Sequence, residues 1–183
     1  MRYLVVIFLL VCTPIANAQN FTAVIAELES LNDTADYLYE KRKEAFMKKN
    51  AEAVNLADLQ SEISGFDSTA LRRVKELIYD YGWLGISEVG EKANKALFLI
   101  IQNAEDPAQR ELYFPYLEIS VEMKESDPAD MARMRDHMLI EQGESQMYGT
   151  HYKIVGGEIV RSPIDNPSGV NKRRRNVGLR KLR

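Results

Sequence analysis

Apolar residues recur at three- and four-residue spacing through most of residues 21–142, and this periodicity constrains the fold more than any other feature. Such spacing places apolar side chains on one face of an α-helix, whereas a half-buried strand alternates with a period of two. The pattern predicts helices over residues 21–49, 54–63, 68–81, 88–103, 107–124 and 128–142. The segment 88–103 leaves only a narrow polar edge, so we expect that helix to lie at the centre.

Helix ends are marked by residues that favour caps. Asp106-Pro107 and Asp127-Pro128 each place an aspartate at the cap and a proline at the first helical position. Gly82 is expected to end one helix, and Ser64-Gly65 to separate two helices near the N-terminus. Asn166-Pro167 is expected to cap a last, short helix.

One segment near the C-terminus reads as a β-hairpin. In residues 152–161, Gly156-Gly157 supplies the positive φ angles of a two-residue turn, and that register places Ile154 opposite Ile159. Two strands alone are marginally stable, so the hairpin must pack on the helices. The predicted fold class is mainly α: a single-domain orthogonal helical array with one small C-terminal β-hairpin.

Residues 1–18 have the composition of a secretory signal peptide. Arg2 precedes an apolar run from Leu4 to Cys12, and Ala16-Asn17-Ala18 is a small-x-small cleavage site. The run is much shorter than the roughly 20 residues of a membrane-spanning helix, and no other segment approaches that length. We therefore expect cleavage after Ala18, a periplasmic or secreted location and no membrane span.

Residues 19–183 are expected to form one domain, with N-terminal helices at 19–66 and a core at 67–182. This part of the chain contains no cysteine, so packing rather than disulfides must stabilise it.

Charge is unevenly distributed between this body and its C-terminal tail. Residues 161–183 carry eight basic residues and one acid, a net charge of +7, whereas residues 19–160 carry 15 basic and 26 acidic residues, a net charge of −11. The tail is expected to lie on the acidic body of its own chain, with an anionic partner as the alternative. No aromatic residue is interleaved with the tail arginines for base stacking, so no nucleic-acid partner is expected.

The best candidate site is the loop 142–152, where helical patterning stops and polar side chains surround two glycines. Gln146, Tyr148, Thr150 and His151 offer an amide, a phenol, a hydroxyl and an imidazole, a combination that suits a polyhydroxyl or peptide-like ligand. Asp136 faces inward on the preceding helix and can accept hydrogen bonds from this loop. An equally weighted alternative is a buried polar network that fixes the junction between helix and hairpin.

Other polar or aromatic residues have simpler structural interpretations. Asn103 continues an apolar stripe and is expected to point inward, whereas Asp106 and Gln109 are read as parts of a helix cap as well as candidate ligand contacts. His137 is expected to be a solvated histidine, and Trp83 a packing wedge at a helix corner.

The sequence lacks the common catalytic signatures. It has no Gly-x-Ser-x-Gly elbow, no His-Glu-x-x-His pair, no phosphate-binding glycine loop and, after residue 18, no cysteine nucleophile. Two histidines make a zinc site unexpected, since catalytic zinc usually takes three protein ligands. No metal and no cofactor are therefore predicted.

Several motifs together resemble a bacterial family of domains of unknown function. They are Gln102-Asn103-Ala104-x-Asp106 with Gln109, Arg135-Asp136, Gln146-x-Tyr148-Gly149-Thr150, and Asn166-Pro-x-x-Val170-x-x-Arg173-Arg174. The resemblance covers residues 67–182 and implies that seven side chains converge: Asn103, Asp106, Gln109, Asp136, Gln146, Tyr148 and Thr150. This chain departs from the family pattern where Asn103 replaces a histidine and His151 replaces a glutamine.

Three functions are compatible with these patterns. The first is binding of a small polar ligand or cell-envelope component by Asn103, Asp106, Gln109, Gln146, Tyr148 and Thr150. The second is a cell-envelope hydrolase that uses Asp136 or His151 as acid or base. The third is a protein-interaction module that uses the basic tail.

Overall fold

The computed structural model describes residues 15–47, 56–155 and 158–182 of the 183-residue chain. These residues form α1 (Ile15–Met47), α2 (Leu56–Tyr81), α3 (Ile86–Gln102), α4 (Pro107–Glu122), α5 (Pro128–Glu141), β1 (Tyr152–Val155), β2 (Glu158–Arg161) and α6 (Val170–Asn176). A 3-10 turn, Pro167–Gly169, leads into α6. The predicted mainly α fold class with one small hairpin is confirmed.

The predicted signal peptide lies almost wholly outside the described residues, because 1–14 are not among them. Of the helices that the structure describes, none combines the length and the apolar character needed to cross a membrane.

Helix α3 lies at the centre and packs against α1, α2, α4 and α5. Its buried side chains include Ala93, Leu97, Ile100 and Ile101, none of them more than 1% exposed. Burial of one such leucine or isoleucine contributes about 2 kcal/mol. The apolar core therefore draws residues from all five long helices.

The predicted break at Ser64-Gly65 is wrong, since α2 runs through it without interruption. Buried Leu59 and Ile63 before the glycine and Ala70 after it follow one helical stripe. A glycine inside a helix costs about 1 kcal/mol relative to alanine. Packing of the buried stripe before and after Gly65 offsets that cost, so tertiary contacts override the local tendency to end the helix.

The predicted aspartate caps of α4 and α5 and the predicted stop at Gly82 are present. Asp106 Oδ1 accepts the backbone N–H of Ala108 at 3.0 Å, and Asp127 Oδ1 accepts that of Ala129 at 2.8 Å. Gly82 ends α2 with a φ of 77°. These caps set the direction of α4 and α5, which carry the side chains described below.

The corner after α2 is held by Trp83, whose ring packs against the core. Its indole N–H donates to the Ser126 hydroxyl at 3.1 Å, and Ser126 also receives a bond from the buried Asn94 amide at 2.9 Å. The ring therefore acts as the packing wedge that its position predicts, with the Ser126 hydroxyl as its hydrogen-bond partner.

The hairpin has the predicted register, with Ile154 paired to Ile159, while its Gly156-Gly157 turn lies outside the described residues. The predicted cap at Asn166 is wrong, because this residue adopts a left-handed conformation (φ 42°) and its side chain makes no capping bond. Instead the Ser168 hydroxyl donates to Asn166 Oδ1 at 2.8 Å.

Candidate functional site

The loop between α5 and β1, residues 142–151, is anchored by the carboxylate of Asp136. This side chain faces inward, as predicted, and its residue is 0% exposed. Oδ1 accepts the N–H groups of Met147 at 2.7 Å and Tyr148 at 2.9 Å. Oδ2 accepts the Thr150 N–H at 3.0 Å and the Thr150 hydroxyl at 2.8 Å. The four donors use all the strong acceptor positions that a carboxylate offers.

These contacts determine what Asp136 can do chemically. Hydrogen bonds to a charged group contribute about 1.5–3 kcal/mol each, and a buried carboxylate without them would be costly. Because its lone pairs are already taken by the loop, Asp136 has none left to accept a proton from a substrate. Its geometry is that of a residue that holds the loop in place.

Gln146 ties the same loop to the segment that follows β2. The side chain is fully buried; its Oε1 accepts the His151 N–H at 2.8 Å, and its Nε2 donates to the carbonyls of His151 at 3.0 Å and Ser162 at 2.8 Å. The Gln146 backbone adds bonds to Pro163 and Asp165 at 2.9 Å each. The Gln146 side chain therefore links the loop to the segment after β2, and both of its polar atoms are hydrogen-bonded within the protein.

Two tail arginines close the loop from the other side. Arg173 Nε donates to the Met147 carbonyl at 2.7 Å, and the guanidinium of Arg174, which is 8% exposed, donates to the Tyr148 carbonyl at 2.6 Å. Burial lowers the pKa of Arg174 from its ordinary value. The tail thus lies on its own chain as expected, although these guanidinium groups contact backbone carbonyls rather than acidic side chains.

Gly149 is the closest point of approach between loop and tail. Its φ is 69°, and a Cβ at this position would come within 2.7 Å of Ile164 Cδ1 and 2.9 Å of Leu182 Cδ1. The left-handed backbone favours glycine here, and the two methyl groups would have to shift to admit a Cβ. The glycine therefore serves packing of the tail, not access of a ligand.

His151 and His137 form a stacked pair beside this network. Their ring centroids are 4.9 Å apart, with 32° between the planes. His151 Nδ1 lies 3.0 Å from the Thr150 hydroxyl, which itself donates to Asp136. His137 Nδ1 lies 3.0 Å from Gln102 Nε2. The prediction that His137 is solvated is wrong: its side chain is 29% exposed and covered by His151, which lies 14 positions further along the chain.

Both imidazoles favour the neutral form. Burial, followed by the charges of Arg110 and His151, lowers the pKa of His137 to about 4. Burial is also the main cause that lowers the pKa of His151, against the opposing charges of Asp136 and Glu141. At neutral pH each ring can therefore accept a proton or a hydrogen bond.

A partly buried ion pair beside His137 links α4 to the end of α5. Arg110 is 2% exposed and donates through Nε to Glu141 Oε2 at 2.9 Å, with a second bond from its terminal nitrogen to Oε1. It also donates to the carbonyls of Gln102 and Ala104 at the end of α3. Removing one partner of this ion pair would destabilise the protein, because the other partner would stay charged and partly buried.

Sequence reasoning assigns no role to Gln102, Arg110 or Glu141, although one signal points to Arg110. It lies three, four and seven positions before Tyr113, Phe114 and Leu117, so it occupies the buried stripe of α4. A charged residue on an apolar stripe predicts a buried ion pair.

Asn103 and Asp106 line a different feature, a groove of about 990 Å³ formed by α1, α2 and the connection between α3 and α4. The Asn103 amide donates to the Leu99 carbonyl at 2.9 Å and accepts from Arg42 at 3.4 Å. It is half-buried at the groove wall, not inside the core as its spacing predicts. No residue of the loop 142–151 lines this groove.

Gln109 belongs to the cap of α4. Its Nε2 donates to Asp106 Oδ2 at 3.1 Å, and that bond, together with the Ala108 N–H, lowers the pKa of Asp106. The structural interpretation of Asp106 and Gln109 as a cap is therefore supported. Gln109 Oε1 is buried and has no hydrogen-bond partner among the described residues.

The seven candidate side chains fall into two groups. Asp136, Gln146 and Thr150 join in the loop network, to which Tyr148 contributes its backbone N–H and carbonyl, whereas Asn103, Asp106 and Gln109 lie at the α3–α4 connection. No hydrogen bond between described residues joins the two groups directly. The single convergence implied by the family resemblance is therefore not what this chain shows. Among the described residues there is also no cluster of three His, Asp or Glu side chains suited to a metal ion.

The fold and site define a class: a mainly α-helical domain whose C-terminal hairpin and tail are fixed to the helices by a buried carboxylate and two arginines. The chain belongs to DUF6624, a family of unknown function whose model matches residues 34–183. This match includes the long α1 helix from Thr34 onwards as well as the region in which the motifs occur. Searches among curated proteins and among solved structures found no significant match.

Proposed function

We propose that this domain binds a small polar ligand with both a cationic and an anionic group, such as a zwitterionic peptide fragment, in the groove between α1, α2 and the α3–α4 connection. The observation that carries this proposal is the chemistry of the groove walls. They combine an amide, Asn103, with charges of both signs that have no ion-pair partner among the described residues: Lys75, Asp80 and Glu105.

Most other charges of the groove have partners within the protein. Asp67 accepts the Tyr39 hydroxyl at 2.7 Å, and Arg42 lies over the Tyr39 ring and donates to Asn103. Arg72 and Arg73 each contact Glu76 at 3.2 Å, and Arg73 also pairs with Glu27 at 2.7 Å. Lys75, in contrast, makes no ion pair with Asp106, although its positive charge helps to lower the pKa of that carboxyl group. Space therefore remains between the two opposite charges. A ligand with its own ammonium and carboxylate groups would bridge such a gap at both ends.

The size of the groove fits the same class of ligand. Pockets for small molecules typically enclose about 300–1,000 Å³, and this groove has about 990 Å³. We also propose that the chain acts outside the cytoplasm, because residues 1–18 have the composition of a secretory signal peptide. A peptide fragment of the cell envelope would satisfy both proposals.

The test is a binding titration of the whole chain with zwitterionic dipeptides, neutral sugars and simple monoanions. Lys75→Gln and Asn103→Ala should each weaken dipeptide binding about fivefold or more. Lys95→Gln is the matched control, because Lys95 is exposed on α3 and does not line the groove. Thermal unfolding of each variant separates lost binding from lost stability. Absence of dipeptide binding at millimolar concentration, or equal weakening by Lys95→Gln, would refute the proposal.

A second candidate, an envelope hydrolase, is favoured by one observation: the chain of hydrogen bonds from His151 through Thr150 to Asp136. This arrangement orients the His151 ring and leaves its Nε2 as the acceptor of a substrate proton. Turnover of cell-wall fragments should fall about a hundredfold in His151→Gln and persist in His137→Gln. Equal turnover by both variants would remove His151 from this role.

A further inference from the structure

The C-terminal tail forms a second cleft that the proposed functions do not use. It lies between α6 and residues 178–182 and has a volume of about 510 Å³. Its walls are formed by Asn171, Lys172, Arg175, Gly178, Leu179 and Lys181. Among the residues that the structure describes, these walls hold three cations and no acidic side chain.

Hydrogen bonds fix the backbone that carries these cations. The Leu179 N–H donates to the Arg174 carbonyl at 2.9 Å, Arg174 Nε donates to the Arg180 carbonyl at 2.6 Å, and the Leu182 N–H donates to Asn171 Oδ1 at 2.8 Å. Residues 178–182 therefore return alongside α6 in a defined position. The backbone of the cleft is therefore fixed before a ligand binds, which reduces the entropic cost of binding.

The basic residues of the tail divide into two sets. Arg173 and Arg174 turn towards the loop and bond to its carbonyls. Lys172, Arg175 and Lys181 are exposed and form no ion pair with any residue that the structure describes. Like charges gathered in one cleft repel one another, and a bound anion would relieve that repulsion.

We propose that this cleft binds a phosphate-bearing small molecule. A phosphate monoester carries nearly two negative charges at neutral pH and three strong acceptor oxygens. Two ammonium groups and one guanidinium fork can satisfy those oxygens. A single carboxylate would leave more of the positive charge uncompensated, and the small volume of the cleft favours a compact ligand over a polymer.

Inorganic phosphate and pyrophosphate are the probes, titrated into the full chain at low ionic strength and followed by calorimetry and NMR. Both should bind, with pyrophosphate the tighter, and the largest shifts should occur at Lys172, Arg175 and Lys181. The double variant Lys172→Gln/Arg175→Gln should weaken binding at least about tenfold. Arg180→Gln is the matched control: it removes one exposed tail charge outside the cleft walls and should change the affinity less than about twofold.

Several outcomes would overturn the proposal. If Arg180→Gln weakened phosphate binding as much as the double variant, the effect would come from diffuse charge and not from a cleft. If the double variant does not fold, the NMR shifts of the wild-type protein show whether the probe binds at the cleft. Failure to bind either probe would refute the site. Binding to phosphatidylglycerol vesicles but not to the probes would assign the cations to a lipid surface. Salt-sensitive self-association lost in the double variant would instead assign them to the acidic body of a second copy.

Discussion

Asp136→Asn is the substitution that most directly tests the role of the buried carboxylate. Four donors from Met147, Tyr148 and Thr150 point at its two oxygens. An asparagine retains one oxygen and places an NH₂ group where Oδ2 lies, so the Thr150 N–H is left facing another donor. An unsatisfied buried donor costs about 1–3 kcal/mol, and loss of the charge weakens the remaining bonds.

Together these effects predict a loss of about 4 kcal/mol in the free energy of unfolding, or about 10 °C in Tm for a domain of this size. Urea and thermal denaturation followed by circular dichroism measure the loss. Amide exchange at Met147, Tyr148 and Thr150 should accelerate more than exchange in α3. Asp165→Asn is the control, because Asp165 is exposed. A loss under about 1 kcal/mol, or one equal to that of the control, would refute the reasoning.

Three further predictions concern pH, packing and the tryptophan corner. The pKa of His137 is lowered to about 4, so between pH 6.5 and pH 4 the unfolded state binds a proton that the folded state does not. Stability should therefore fall by about 2 kcal/mol over that range as the pH decreases, and His137→Gln should flatten the profile measured by urea denaturation. Gly149→Ala should cost about 2 kcal/mol, mainly because alanine is strained at a φ of 69°; an unchanged Tm would contradict this. Trp83→Phe should cost about 1–2 kcal/mol by chemical denaturation, because the Ser126 hydroxyl loses its indole donor.

Much of the fold follows from local sequence. Helix periodicity, the Asp-Pro caps and the Gly82 stop each depend on residues within one or two turns, and the hairpin register depends on Gly156-Gly157 alone. Ser64-Gly65 misled because its signal is also local, whereas the burial that keeps α2 continuous comes from α1 and α3. The prediction at Asn166 is wrong because asparagine is favoured both at helix N-caps and in left-handed turns.

The candidate site was only partly predictable. Asp136 was correctly placed inward from helical spacing, and the loop contains the polar network offered as one of two interpretations. Spacing along one helix does not show what a distant strand covers, so the burial of His137 by His151 could not be deduced. In the same way, local sequence does not show that Asn103 lies at the groove wall while Tyr148 lies at the junction with the tail.

The division between groove and loop is best tested by mapping a zwitterionic dipeptide onto the isotope-labelled protein by NMR. We predict the largest chemical-shift changes at the groove residues Lys75, Asp80 and Asn103, with little change at Tyr148 and His151. The opposite pattern, with the changes concentrated in the loop 142–151, would contradict the proposal that the ligand binds in the groove and that the loop is a structural junction.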